Sequence, residues 1–121
     1  MEAAADVNEN HAISFCSNCD AQVHNFAGKT SIGMLAAVLK ACSLFIGVDS
    51  AGMHIAGAVR TPTVTIVGPS SSVTWAPRGR QHRVVYKSLP CVPCHQTGCL
   101  EELTIDEVFS VVKDHIVRVC N

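Results

Sequence analysis

Three observations on this 121-residue chain predict an α/β fold, a parallel sheet with helices flanking it. Hydrophobic patterning alternates between helical stripes and short apolar runs from Ser31 onward. The apolar runs are continuous rather than alternating, as strands covered on both faces require. The composition is 48% hydrophobic and 16% charged, which suits a buried core and excludes a disordered chain.

The elements follow in order. Residues 1–12 have no clear period, and residues 13–27 are ambiguous, with Ile13–Cys16 and Val23–Phe26 each readable as a short strand; residues 1–24 are read as an uncertain N-terminal remnant. From Ser31 to Cys42, apolar residues at Ile32, Leu35, Ala36, Leu39 and Cys42 form a helical stripe, with Thr30 or Ser31 as cap. Leu44–Val48 is a buried strand that ends at Asp49-Ser50. Residues 51–59 suit a small-residue helix packed close to a sheet, weakened at Gly57 and ended by Thr61-Pro62. Thr63–Val67 is a second buried strand, residues 68–82 a loop, and Arg83–Tyr86 a third strand. After the Cys-rich segment 88–103, Thr104 and Glu107 form a capping box for the last helix. Its stripe is Ile105, Val108, Phe109, Val112, Ile116 and Val119. Strands alternating with helices imply parallel pairing through crossovers.

Charge excludes some functions. The formal net charge is −1, and neither half is a basic arm, so nucleic acid is not an expected partner. No apolar run approaches a membrane span. No basic segment leads into an apolar core at the N-terminus, so no secretory signal is expected. In a cytoplasmic setting the seven cysteines are thiols or metal ligands before they are disulfides.

The strongest local pattern is Val48-Asp49-Ser50-Ala51-Gly52-Met53-His54, which joins a buried strand to a helix. Open α/β sheets bind ligands in loops at the carboxyl ends of their strands. Small residues there let a phosphate approach backbone N–H groups at the helix start. Asp49, an acceptor, suits sugar hydroxyls better than phosphate. The competing reading is that Asp49 and Ser50 only cap the helix, with His54 on its buried face; the spacing leaves the two about even. Gly68-Pro69-Ser70 would lie on the same rim, as a phosphate or sugar contact or as an ordinary polar turn. Gly28-Lys29-Thr30 is not a P-loop, because Val23 stands where that motif needs glycine. Lys29 could still reach a phosphate from a helix start.

Cys91, Cys94 and Cys99 are dense in soft ligands, with His95 among them, and Cys16-x-x-Cys19 is a second pair. Zinc is the metal this spacing allows, although the two pairs are too distant in sequence for the usual motifs. Arg78, Arg80, Arg83 and Lys87 form a basic stretch, either a solvated surface or a contribution to an anionic ligand. His11, His24 and His115 show no ligand spacing.

From Asn25 onward the chain resembles the C-terminal, donor-binding domain of the heptosyltransferase family, lipopolysaccharide glycosyltransferases of the GT-B fold. The residues that carry the resemblance are Phe26–Ser31, Phe45–Ala56, Thr61–Val64, Gly68-Pro69-Ser70, Trp75-Ala76-Pro77, Cys91-x-Pro-Cys94 and Leu103-Thr104-Ile105. It implies a partial Rossmann-like sheet over residues 25–121, the C-terminal half of a GT-B enzyme. It implies an ADP-sugar donor, typically ADP-heptose, and transfer to the lipopolysaccharide core, with no cofactor required. On the family's pattern Asp49 contacts the donor sugar, and backbone N–H groups around Ser50, Ala51 and Gly52 hold the diphosphate. His54 stands nearby and Thr30 lines the nucleotide pocket; Lys29, Gly68 and Ser70 are the further donor-binding candidates from the reading of the residues above. Ala51 departs from the glycine the family often has.

No catalytic residue is expected in the chain itself, since the family's general base and acceptor site belong to an N-terminal domain. A fragment or truncated frame is therefore expected, inactive alone, self-associating through an exposed sheet edge. The family setting adds peripheral association at the inner face of the inner membrane. The alternatives are a Cys-rich metal-binding interaction module and a non-catalytic nucleotide-binding fragment.

Overall fold

The computed structural model describes residues 22–68, 76–87 and 102–120. Six elements lie within them: helix α1 (Ile32–Ala41), strand β1 (Phe45–Val48), helix α2 (Ala51–Ala58), strands β2 (Thr63–Ile66) and β3 (His82–Val85), and helix α3 (Ile105–Cys120). Every helix and strand expected after Ser31 is present, with ends shifted by one or two residues. The chain divides into two units, residues 1–35 and 36–121, and the division falls within α1.

The sheet is parallel, in the order β1-β2-β3. Ile46 faces Val64, which faces Arg83; Val48, Ile66 and Val85 form the next row. Residues in register share a face, so these rows define one side of the sheet. Helix α3 packs on this side, where Val64, Val85 and Val112 form a buried cluster flanked by Leu44, Leu103, Val108 and Val111. Helix α2 covers the other side of β1 and β2 and buries Met53 and Ala56. There the Phe45 ring lies over Gly47: a Cβ at Gly47 would sit 2.6 Å from the ring. The same ring closes against Gly52, so these two glycines let one aromatic fill the strand–helix junction.

Strand β2 is buried from Thr63 to Thr65, with Ile66 half-buried. Strand β1 is less buried: Ile46 is 50% exposed and Val48 55%. Helix α3 reaches across β2 and β3 but leaves β1 uncovered on that side. An apolar hollow of about 510 Å³ remains, bounded by Ile46, Ile66, Ile105, Val108, Phe109 and Val112.

Two helical stripes also turned out differently. In α1 only Leu39 is buried, while Ile32 is exposed. In α3 the buried residues are Val112 and His115, while Ile105, Phe109 and Ile116 are exposed. The inward face is Val108, Val111, Val112 and His115, rotated from the expected stripe. Apolar residues occupy more than half of the helix circumference, so periodicity alone does not select the face.

Local devices end the elements. Ser31 is the cap of α1, where its hydroxyl accepts the Met34 N–H at 3.3 Å. Helix α2 ends in a Schellman arrangement, with Thr61 N–H to the Ala56 carbonyl and Arg60 N–H to the Gly57 carbonyl. That places Arg60 at φ 65°, a left-handed conformation unusual for a side-chain-bearing residue. Gly57 has its own use: a Cβ there would lie 3.1 Å from Pro77 carbons, so glycine admits the proline against α2.

Candidate functional site at the carboxyl rim of the sheet

Parallel strands bring Asp49, after β1, and Gly68, after β2, to the same rim. The ladder continues one step beyond β1, because the Asp49 N–H donates to the Ile66 carbonyl at 3.2 Å. Ser50 then takes the N-cap position of α2 with extended dihedrals, φ −150° and ψ 174°. Its carbonyl accepts from Met53 and His54. Its hydroxyl makes no capping bond. The two remaining first-turn amides, of Ala51 and Gly52, have no helical carbonyl to reach.

The Ser50 hydroxyl accepts no first-turn amide, and His54 lies on an exposed face of the helix rather than a buried one. The His54 side chain is 51% exposed, with Nε2 3.9 Å from Asp49 Oδ1. That separation is too long for a hydrogen bond. Met53, between them, is fully buried and fixes the first turn of α2 to the sheet.

The other predicted residues are distributed as follows. Lys29 and Thr30 belong to the unit of residues 1–35. Lys29 lies in the turn before α1, where Asn25 Oδ1 accepts the Ala27 N–H at 2.9 Å and Gly28 has φ 67°. The Lys29 ammonium donates to the Asn25 carbonyl at 3.3 Å. Ser70 lies outside the described residues, as do Cys91, Cys94 and Cys99 and the Cys16–Cys19 pair. Cys42 and Cys120 are exposed thiols, and no cluster of three metal-ligating side chains occurs among the described residues. No helix among them is long and apolar enough to cross a membrane.

The start of α3, unlike that of α2, carries a side-chain cap. The Thr104 hydroxyl accepts the Glu107 N–H at 3.2 Å, and Glu107 Oε2 accepts the Thr104 N–H at 2.8 Å. Lys87, just past β3, donates to Glu107 Oε1 at 2.7 Å. The Lys87 ammonium, aided by the Thr104 donors, holds the Glu107 carboxyl down to about 2. The basic stretch seen in the sequence is thereby split, because β3 carries Lys87 to the carboxyl rim and leaves Arg83 near the amino rim. His82 accompanies Arg83, and its ring contacts the Thr63 hydroxyl at 3.0 Å. Burial, and then the neighbouring His115, lower its pKa.

Known proteins place this architecture. The family model for glycosyltransferase family 9 (heptosyltransferase) matches residues 1–105. Lipooligosaccharide heptosyltransferase 2 of Campylobacter jejuni serotype O:6 is 37% identical over 79 residues, which is 64% of this chain and 25% of that protein. Lipopolysaccharide heptosyltransferase 3 of Escherichia coli K12 is 46% identical over 55 residues, 46% of this chain and 16% of that protein. The chain thus spans about a quarter or less of the length of these relatives. Among solved structures, an E. coli ADP-heptose LPS heptosyltransferase II superposes with a TM-score of 0.76 at 24% identity, over 96% of this chain and 35% of that one. That likeness carries the GT-B setting of the three-stranded sheet. With its family model matched over most of its length, the chain belongs to glycosyltransferase family 9, the heptosyltransferases.

Proposed function

We propose that residues 25–121 are the donor-binding domain of a heptosyltransferase, and that the β1–α2 junction holds the diphosphate of ADP-heptose. The observation that carries this reading is the N-terminus of α2 at the carboxyl end of β1, where the Ser50 hydroxyl makes no capping bond and the Ala51 and Gly52 amides have no helical carbonyl to reach. Amides and a helix dipole together favour a diphosphate. In this reading Asp49 accepts from donor-sugar hydroxyls, and His54 stands at the mouth beside it. Gly68, with Ser70, borders the diphosphate from the neighbouring strand.

The reaction is displacement at the anomeric carbon. An acceptor hydroxyl of the lipopolysaccharide core forms the new C–O bond and gives its proton to a general base. The bond to the diphosphate breaks, and ADP leaves with the electron pair. Charge developing on the leaving oxygen is stabilised by amides already in position, without reorganisation. The base and acceptor site are assigned to polypeptide beyond these 121 residues, and the chemistry needs no cofactor. The uncovered edge and face of β1, with Ile46 and Val48 exposed, suit pairing with that polypeptide or with a second copy. The enzyme's place is the cytoplasmic face of the membrane on which its acceptor is built.

Replacing Ala51 by proline tests the amide role. Ala51 is the first helical residue, where proline is well accepted, and the extended Ser50 before it suits a proline neighbour. The substitution deletes one amide and leaves the fold. Calorimetric titration should show ADP binding weakened by about tenfold, the worth of one charge-assisted hydrogen bond. Unchanged affinity in a folded Ala51→Pro chain would remove the α2 amides from the site.

A further inference from the structure

A second polar hollow lies at the amino rim of the sheet, beside the opposite end of β3. It holds about 290 Å³ and is lined by Arg83 and Val84 of β3 and by Val111, Asp114, His115 and Arg118 of α3. An adjoining hollow of about 350 Å³ shares Arg118 and adds Arg80 and Gln81. Three arginines from two separate segments therefore border these two hollows, which share Arg118. None of the three forms an ion pair with a described residue, and Asp114 is the one acid among the lining residues.

Exposed arginines alone are ordinary, and Arg118 also suits the negative end of a helix. His115 is the independent observation. Its side chain is 1% exposed and lines the first hollow. Nε2 meets the Gln81 carbonyl at 2.9 Å, so that nitrogen carries a hydrogen. Nδ1 is buried with no hydrogen-bond partner among the described residues. A buried, unpartnered ring nitrogen is costly unless something pairs with it. A neutral ring presents a lone pair there, which accepts from a P–OH; a protonated ring presents N–H, which donates to a phosphate oxygen. The guanidinium forks of Arg83 and Arg118, which line the same hollow, match a phosphate's remaining oxygens.

We infer that the Arg83–His115–Arg118 hollow, widened by Arg80, binds a phosphate group. Two sources share that chemistry, a small phosphorylated metabolite and the headgroup of an anionic lipid. The site lies on the rim opposite Asp49, so it is separate from the donor site proposed above and does not depend on it.

The test uses the 121-residue chain with its histidine ring and arginine side-chain nitrogens observed by NMR. One arm adds inorganic phosphate; the other adds phosphatidylglycerol vesicles diluted in phosphatidylcholine, each against sodium chloride at equal ionic strength. The expected result is a saturable change at His115 Nδ1 and at Arg83 and Arg118, whether or not the Asp49–His54 amides also respond. The double variant Arg83→Gln/Arg118→Gln should weaken binding at least about tenfold, while Asp114→Asn should tighten it a few-fold. A response to phosphate identifies a soluble ligand, and a response to vesicles alone identifies the lipid. Silence of His115 in both arms on a folded chain overturns the proposal. So does an equal response to sodium chloride, or binding that survives in the double variant.

Discussion

Helices α2 and α3 both begin at the carboxyl rim of the sheet, and their first turns are finished in opposite ways. The start of α3 is self-sufficient: Thr104 and Glu107 satisfy each other's amides, and Lys87 neutralises the carboxylate. The start of α2 has an N-cap serine whose hydroxyl caps nothing and a histidine that faces solvent. One fold thus holds a helix start with a reciprocal side-chain cap and one whose N-cap serine makes no capping bond. The difference teaches where to look for a ligand: at the start that the N-cap side chain has not closed.

Substitutions can break or sharpen this contrast. The largest effect is expected at Met53, fully buried under the first turn of α2. Met53→Ala should cost roughly 2–5 kcal/mol in denaturant unfolding, because the cavity cannot collapse against the rigid sheet. A loss below about 1 kcal/mol would mean that α2 is not anchored to the sheet there.

The two caps come next. Thr104→Ala should cost about 1 kcal/mol, while Ser50→Ala should change stability by less than about 0.5 kcal/mol. Equal losses would show that Ser50 is a working cap and would erase the contrast. At the far end of α2, Arg60→Gly should stabilise by roughly 0.5–1 kcal/mol, since glycine adopts the left-handed conformation without a Cβ penalty. A loss there would point to an Arg60 side-chain contact.

The smallest effect is on acid stability. Glu107 is held at about 2, below its ordinary value of 4.5. Its pairing therefore contributes fully above pH 4.5, and the contribution is lost as pH falls toward 2. Solvent screens the exposed pair, so the slope is shallow. Glu107→Gln should flatten that part of the pH profile, whereas Ser50→Ala should leave it intact. A profile unchanged in Glu107→Gln would detach the carboxylate from the stability of α3.

Much of this was readable in the sequence. The capping box is a four-residue pattern with its own geometry, so Thr104 and Glu107 announced the start of α3. The strands declared themselves as short apolar runs, and the Asp49–His54 segment as their junction with a helix. Other features depend on distant neighbours. The exposure of Ile46 and Val48 follows from how far α3 reaches across the sheet, which no local pattern encodes. His115 sits in a helix with apolar residues on several sides, so periodicity could not show which side turns inward. Arg118 joins Arg83 only because α3 runs back along β3; in sequence it stood outside the basic stretch. Pairing Arg83 with a buried polar residue of the last helix was the missing signal.

The central claim is that the start of α2 receives the donor's diphosphate. Titration of ADP and then ADP-heptose into the chain, followed by protein-observed NMR, tests it most directly. The account predicts saturable shifts centred on the Ala51 and Gly52 amides, extending to Asp49, His54 and Gly68, with the Thr104–Glu107 amides unmoved. Shifts centred on the start of α3, or none in a folded sample at millimolar nucleotide, would contradict it.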